Sequence, residues 1–112
     1  MESLPLEVAP LELNKRLKSG ESLKLIDVRE SYEFMLCRIE GAEPIPMGSV
    51  SHALGMLQEK SAEATLVLYC HHGVRSLQVA SWLRQRGIAR CQSLQGGIDR
   101  WAASIDPGLQ RY

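Results

Sequence analysis

Apolar residues along the chain form two kinds of pattern, short unbroken runs and longer amphipathic stretches. The runs are rich in aliphatic and β-branched side chains, which predicts buried strands. These strands are predicted at 23–28, near Ile45, at 65–70 and at 91–94. The amphipathic stretches keep their apolar residues on one side, which predicts helices with a single buried face. These helices are predicted at 11–20, 30–37, 50–59, 76–87 and 98–104.

The order of these elements predicts the class of fold. Strands with no polar alternation are buried on both faces, and they alternate here with helices along the chain. This arrangement is typical of the α/β class, an open parallel sheet with helices on both faces. Ligands of such sheets bind beyond the carboxyl ends of the strands. Two of the predicted strand ends carry chemically active residues, at Asp27–Glu30 and at Tyr69–Gly73.

Length and charge limit the number of domains and the kinds of partner that the chain can have. The 112 residues fit one domain over 1–112. The 13 basic and 13 acidic side chains give no net charge, which argues against nucleic acid as the main partner because duplex binding uses excess Lys and Arg. No apolar run reaches the roughly 18 residues of a membrane span, and the first residues lack a secretory signal. We therefore expect a cytoplasmic protein with no membrane contact.

Three cysteines, Cys37, Cys70 and Cys91, are present without a CxxC pair. An odd number in this arrangement does not suggest a disulfide framework, and a reducing compartment keeps the thiols free. We therefore expect a reactive thiol. Cys91 begins an apolar run and is expected in the core, while Cys37 is read as a packing residue, with a resolving thiol as the open alternative.

The segment Tyr69–Ser76 connects a predicted strand to a predicted helix. Gly73 permits a tight turn, which directs successive backbone N–H groups into one concavity at the helix N-terminus. Arg75 adds a permanent cation. We expect these groups to favour the thiolate of Cys70, the nucleophilic form. The segment predicts covalent catalysis on an anionic substrate, and its alternative is a buried structural cysteine.

This segment, with four residues between Cys70 and Arg75 and then Ser76, resembles the active-site loop of the rhodanese family of sulfurtransferases. Three further motifs carry the resemblance in order along nearly the whole chain. They are Asp27-Val28-Arg29-Glu30, Ile39-Glu40-Gly41-Ala42 with Ile45-Pro46, and the stretch Leu94–Trp101 with its Gly96-Gly97 pair. One departure is Cys37-Arg38, where the family commonly has Gly-His. The resemblance implies a single rhodanese-like domain, with a five-stranded parallel sheet and helices on both faces.

The resemblance also implies a reaction, which is sulfur transfer through a persulfide on Cys70. The thiolate would take a sulfane sulfur from a donor such as thiosulfate and pass it to cyanide, a small thiol or a protein thiol. Arg75 and the loop N–H groups are expected to stabilise the departing anion. The reaction requires no metal or organic cofactor, and a sulfur-acceptor protein is one expected partner.

The remaining loop residues are predicted to bind substrate, and they are His71, His72, Gly73, Val74 and Ser76. The two His side chains either tune the loop electrostatically or point to solvent. A metal site at Cys70, His71 and His72 is disfavoured because adjacent His residues rarely point to one centre. Ser76 is expected to cap the helix and to donate a hydrogen bond to the persulfide.

Asp27 and Arg29 are predicted to support the loop, as an ion pair or by positioning it.

Two alternatives to sulfur transfer stay open. Phosphatases of a related fold have five residues between Cys and Arg, which gives room for three equatorial oxygens, so the four found here favour a single sulfur atom. A non-catalytic interaction module is the other alternative, and the presence of Cys70 argues against it.

The stretch 106–112 resembles the tail of rhodanese domains fused to adenylating enzymes, which points to a sulfur-carrier pathway.

Overall fold

The computed structural model describes residues 4–112, in which strands and helices alternate along the chain. The strands are β1 Glu7–Val8, β2 Leu23–Asp27, β3 Glu43–Pro44, β4 Thr65–Tyr69 and β5 Cys91–Leu94. The helices are α1 Pro10–Lys18, α2 Ser31–Leu36, α3 Leu54–Ser61, α4 Val74–Gln85 and α5 Gly97–Ser104. A turn of 3-10 helix at Met47–Ser49 follows β3. None of the helices between residues 4 and 112 has the length and apolar character that a bilayer crossing requires.

The five strands form one parallel sheet in the order β1-β5-β4-β2-β3, which confirms the predicted fold class. β4 is central, and all five of its residues are buried, as its unbroken apolar run predicts. Because parallel neighbours need a crossover connection, each strand is followed by a helix or a helical turn. The carboxyl ends of β2, β4 and β5 therefore lie at one edge of the sheet.

Two layers of apolar side chains hold the helices against the sheet. One layer lies under α3 and α4 and includes Leu57, Val79 and Leu83 with the strand residues Ile26, Leu66 and Leu68. The other lies under α1 and α5 and includes Leu13, Ile98 and Trp101 with Leu25, Val67 and Tyr69. Successive residues of β2 and β4 alternate between the two layers, as the pleat of a strand requires. Helices cover both faces, as predicted.

The first strand is absent from the predicted elements. β1 has two residues and pairs with β5, with Glu7 opposite Ser93 and Val8 opposite Leu94. The backbone N–H of Ser93 donates to the carbonyl of Leu6 at 2.8 Å. Two residues are too few to display any periodicity, so pairing with β5 rather than local pattern defines this strand.

The start of α4 differs from the prediction in a way that affects the site. β4 ends at Tyr69, so Cys70 begins the loop, and α4 begins at Val74 rather than at Ser76. Gly73 precedes the helix with a left-handed φ of 97°, which glycine adopts at little cost. The expectation that Ser76 caps the helix is wrong, since it lies inside the first turn.

The predicted helix at 50–59 begins later, at Leu54, because the 3-10 turn comes first.

The N-terminus of α5 packs directly against the loop that follows β4. Ile98 donates its backbone N–H to the carbonyl of Cys70 at 2.9 Å, and Asp99 donates to the carbonyl of His71 at 3.1 Å. Free N–H groups of a helix start thereby satisfy the carbonyls of the loop. Gly97, at φ 62°, makes this approach sterically accessible, because a Cβ there would overlap the same two carbonyl groups.

Gly97→Ala is expected to lower the free energy of unfolding by about 2–4 kcal/mol, since it combines a strained φ with overlap against the backbone. Gly55→Ala is the matched control, because Gly55 lies in α3 with no atom near its would-be Cβ. That substitution should raise stability by about 0.5–1 kcal/mol. Urea unfolding measures both changes. Wild-type stability in Gly97→Ala would contradict the close approach of α5 to the loop.

Candidate active site

Cys70 lies at the bottom of the loop, where hydrogen-bond donors surround its sulfur. The backbone N–H of Gly73 points at the sulfur from 3.1 Å and that of Ser76 from 3.4 Å. The Ser76 hydroxyl lies 3.4 Å from the same atom. Only 1% of Cys70 is exposed. Donors gathered around a buried sulfur stabilise negative charge on it, so the loop is built to hold an anionic sulfur.

A second hydroxyl, which the sequence analysis missed, extends this set of donors. The Oγ atoms of Ser76 and Ser93 lie 2.7 Å apart, and both residues are fully buried. When Cys70 is a thiolate, Ser76 must donate to it, so Ser93 must donate to Ser76. The only local signal was a polar residue in a four-residue buried strand, β5.

Arg75 points its guanidinium group at a buried carboxylate, Glu33 of α2. The Nη1–Oε1 and Nη2–Oε2 distances are 2.8 and 3.1 Å, which describes a two-pronged ion pair. Glu33 is 3% exposed and also accepts the backbone N–H of Glu30 at 2.9 Å, closing a capping box at the start of α2. Glu33 was missed as a site residue, although its spacing from Glu30 is that of a capping box.

This ion pair fixes the charge state of both partners. Hydrogen bonds from Arg75 lower the pKa of Glu33 from its usual 4.5 to about 2, although burial acts in the opposite direction. The same hydrogen bonds raise the pKa of Arg75. Both groups are therefore charged at neutral pH.

Asp27 and Arg29 form a second, fully buried ion pair at the end of β2. Arg29 Nη2 lies 2.6 Å from Asp27 Oδ2, and both side chains have no exposed surface. Arg29 also donates to the backbone carbonyl of Cys37 at 2.6 Å. Burial alone lowers the pKa of Arg29, but its hydrogen bonds to Asp27 and Tyr112 outweigh burial and raise it. The predicted ion pair is therefore present.

The other two cysteines are placed away from the sulfur of Cys70. Cys37 packs in the layer under α1 and α5, whereas Cys70 packs in the layer under α3 and α4. The Cys37 sulfur lies 3.9 Å from Arg29 Nη1. Cys91 is fully buried, and burial raises its pKa. Cys91 shares the layer of Cys70 but lies opposite Leu66, four residues earlier in β4. Both positions agree with packing, and neither places a second thiol beside Cys70.

The rings of the two His residues stack face to face. Their ring centroids are 3.9 Å apart at an angle of 26°. His72 is largely exposed and lies 3.9 Å from Asp99. Burial, followed by the neighbouring His72, lowers the pKa of His71, so His71 is neutral at neutral pH. Val74, also predicted to bind substrate, is 66% exposed at the start of α4.

Within residues 4–112, the ligand atoms of His71, His72 and Asp99 lie within 4.8 Å of one another and form a candidate metal-ligand group. The lone pairs of an imidazole lie in the plane of its ring, so stacked rings do not direct them to a common point. The carboxylate of Asp99 also accepts two hydrogen bonds from Arg111, each at 3.0 Å. This arrangement suits an ion pair better than a metal ion.

Tyr112, another residue missed by the sequence analysis, closes one side of the site. Its hydroxyl donates to Glu33 Oε2 at 2.6 Å and accepts a hydrogen bond from Arg29 Nη1 at 2.7 Å. Its ring stacks on His71, with centroids 3.9 Å apart and nearly parallel planes. Tyr112 therefore contacts both ion pairs and the loop.

Comparison with known proteins identifies the family. The model of the rhodanese-like domain family matches residues 9–104, and the chain belongs to this family. The sulfurtransferase of Allochromatium vinosum is 33% identical over 97 residues, covering 86% of this chain and 87% of its own. The human single-domain sulfurtransferase TSTD1 superposes with a TM-score of 0.77 at 28% identity, covering 90% of this chain and 98% of its own.

A longer relative is the probable adenylyltransferase/sulfurtransferase MoeZ of Mycobacterium tuberculosis, which is 37% identical over 105 residues. The match covers 94% of this chain but 26% of that protein. The chain therefore spans about a quarter of the length of this relative.

The Glu33–Arg75 pair should make stability depend on pH in one direction. A carboxylate whose pKa is depressed by folding stabilises the protein above its unfolded pKa, near 4.5, and loses that contribution as the pH falls towards 2. Glu33→Gln should therefore lower the free energy of unfolding by about 2–3 kcal/mol at pH 7, and the difference should shrink below pH 4.

Urea unfolding at several pH values measures this dependence. Glu59→Gln, at an exposed position of α3, is the matched control and should give a curve parallel to that of the wild type. A deficit in Glu33→Gln that stays constant from pH 7 to pH 3 would show that the carboxylate charge contributes nothing.

Proposed function

We propose that this chain is a sulfurtransferase that carries sulfur as a persulfide on Cys70. The observation that supports this most strongly is the set of three donors directed at the Cys70 sulfur, two from the backbone of Gly73 and Ser76 and one from the Ser76 hydroxyl. Membership of the rhodanese-like family and the sulfurtransferase names of its relatives support the same activity.

In the first step, the Cys70 thiolate attacks the outer sulfur of a donor such as thiosulfate. A new S–S bond forms on Cys70, the S–S bond of the donor breaks, and its electron pair leaves with sulfite. The negative charge then lies on the terminal sulfur of the persulfide. Arg75 neutralises the charge that develops on the departing anion, because its guanidinium is held in place before the donor arrives.

In the second step, an acceptor nucleophile attacks the terminal sulfur. The persulfide S–S bond breaks, its electron pair returns to Cys70, and the thiolate is restored. With cyanide the product is thiocyanate, and a small thiol or protein thiol would become a persulfide. The N–H groups of Gly73 and Ser76 stabilise the sulfur anion at both stages, and the Ser76 hydroxyl adds to them, supported by Ser93.

The size of the loop favours sulfur over a phosphate ester. We propose that the four residues between Cys70 and Arg75 suit one further sulfur atom on Cys70, whereas a phosphoryl group needs a cradle for three further oxygens. Substrate binding by His71, His72 and Val74 also stays a proposal. Asp27 and Arg29 are proposed to support it from behind.

The partners and the location of the protein are also proposals. We propose a small sulfur donor and a sulfur-acceptor protein as partners, and the match to part of MoeZ supports a role in a sulfur-carrier pathway. The cytoplasmic location stays a prediction, supported by three cysteines that are all free.

Incubation with thiosulfate and cyanide, followed by colorimetric detection of thiocyanate, tests the proposal. The wild type should form thiocyanate catalytically, and Cys70→Ser should form none above the uncatalysed rate, because a hydroxyl cannot carry sulfur. Cys37→Ala is the matched control and should keep the activity. Equal signals from the wild type and Cys70→Ser would remove the enzymatic function and favour an interaction module.

Arg75→Ala should reduce kcat/KM for thiosulfate by about one to three decades, as for the loss of one preorganised donor. Arg75→Lys should recover little of this loss, because a single ammonium cannot pair with both oxygens of Glu33. Arg86→Ala, just beyond the other end of α4, is the control for loss of a positive charge. A neutral result for Arg75→Ala would mean that the backbone N–H groups suffice.

A further inference from the structure

The hydroxyl of Tyr112 connects the two ion pairs behind the loop in a defined direction. Arg29 has only donors, so the phenol oxygen must accept from it, at 2.7 Å. The single phenol hydrogen is then free for Glu33, whose Oε2 lies 2.6 Å away. Burial, followed by the hydrogen bond to Glu33, raises the pKa of Tyr112 to about 12. Tyr112 therefore stays a donor to Glu33 across the neutral range.

The ring and the preceding residue hold this hydroxyl in place. The ring of Tyr112 lies flat against His71, at 3.9 Å between centroids and 7° between planes. Arg111 forms two hydrogen bonds to Asp99 of α5, each at 3.0 Å. Tyr112 is thereby attached to the loop after Cys70, and Arg111 is attached to α5, the helix that packs against that loop.

The carboxylate of Glu33 accepts four hydrogen bonds, two at each oxygen. At each oxygen, one of the two donors is a nitrogen of the Arg75 guanidinium. Oε1 accepts the backbone N–H of Glu30 and Nη1 of Arg75, while Oε2 accepts the Tyr112 hydroxyl and Nη2 of Arg75. The Glu30 donor belongs to the same helix start as Glu33. Tyr112 alone among these donors links Glu33 to Arg29, a cation that Asp27 fixes inside the protein.

We propose that Tyr112 is a positioning residue for the donor step of sulfur transfer, because it fixes Glu33 and, through Glu33, the guanidinium of Arg75. This inference rests on the proposed function. Arg75 directly precedes Ser76, whose backbone N–H contacts the Cys70 sulfur, so a shift of the guanidinium changes the charge that an anionic donor meets. The acceptor step releases no oxyanion and depends less on Arg75.

Tyr112→Phe tests this inference, because it removes the hydroxyl and keeps the stacked ring. In two-step kinetics, kcat/KM for thiosulfate reports the donor step and kcat/KM for cyanide reports the acceptor step. We expect the value for thiosulfate to fall about 3- to 10-fold, the scale of one lost hydrogen bond to a charged group, with the value for cyanide unchanged. A loss of folded protein would instead lower both values equally.

Two further variants make this test specific. Tyr32→Phe removes a hydroxyl from an exposed tyrosine of α2 and should change neither value. Because Tyr112 acts through Glu33, the double variant Glu33→Gln/Tyr112→Phe should lose no more than about twofold beyond Glu33→Gln alone. An equal fall for both substrates, or a full multiplicative loss in the double variant, would overturn the inference.

Alkylation of Cys70 separates this inference from the proposed function. Iodoacetate is an anion and iodoacetamide is neutral, so the ratio of their rates at Cys70 reports the positive charge that Arg75 presents there. Tyr112→Phe should lower this ratio about twofold or more, measured by mass spectrometry of the Cys70 peptide, and Tyr32→Phe should not. If the wild type transfers no sulfur, the proposed function fails while the ratio still decides on Tyr112. An unchanged ratio would overturn the inference.

Discussion

The hydrogen bonds that converge on the Cys70 sulfur are the interaction on which the rest of this structure depends. Cys70 is only 1% exposed, so its sulfur can hold a negative charge only if protein donors replace water. The chain supplies them by turning sharply at Gly73, so that the first turn of α4 returns to the sulfur. The close approach of Gly97 then seals the loop from the other side.

Two ion pairs that differ in exposure lie around this loop. The Asp27–Arg29 pair has no exposed surface and lies at the end of β2. In the Glu33–Arg75 pair the arginine is 35% exposed and can meet an incoming anion. The hydroxyl of Tyr112 joins the two pairs. This arrangement lets a surface cation keep a defined direction without being buried itself.

Local pattern predicted the central strand of the fold and the position of the loop that holds Cys70, because both depend on neighbouring residues. β4 is buried on both faces and is therefore an unbroken apolar run, and the Cys70–Arg75 spacing is itself local. β1 was missed because only its pairing with β5 defines it. The first turn of α4 was misplaced because the helix begins at Val74, two residues before the predicted start at Ser76, and the exposed Val74 gives no sign of a buried helix face.

The parts of the candidate site that escaped prediction are those set by distance along the chain. Glu33 meets Arg75 across 42 positions and Tyr112 across 79, and no property of the separate segments indicates that they touch. Ser93 reaches Ser76 only because β5 lies beside β4 in the sheet. A motif thus indicated Cys70 as the proposed nucleophile, while the residues that surround its loop could be identified only from the fold.

The mass of the intact protein after treatment with thiosulfate and desalting shows whether Cys70 carries sulfur as a persulfide. We expect the wild type to gain one sulfur atom, fragmentation to place it on Cys70, and cyanide to remove it. A mass identical to that of the untreated chain, with thiosulfate and with other sulfane donors alike, would show that Cys70 does not accept sulfur.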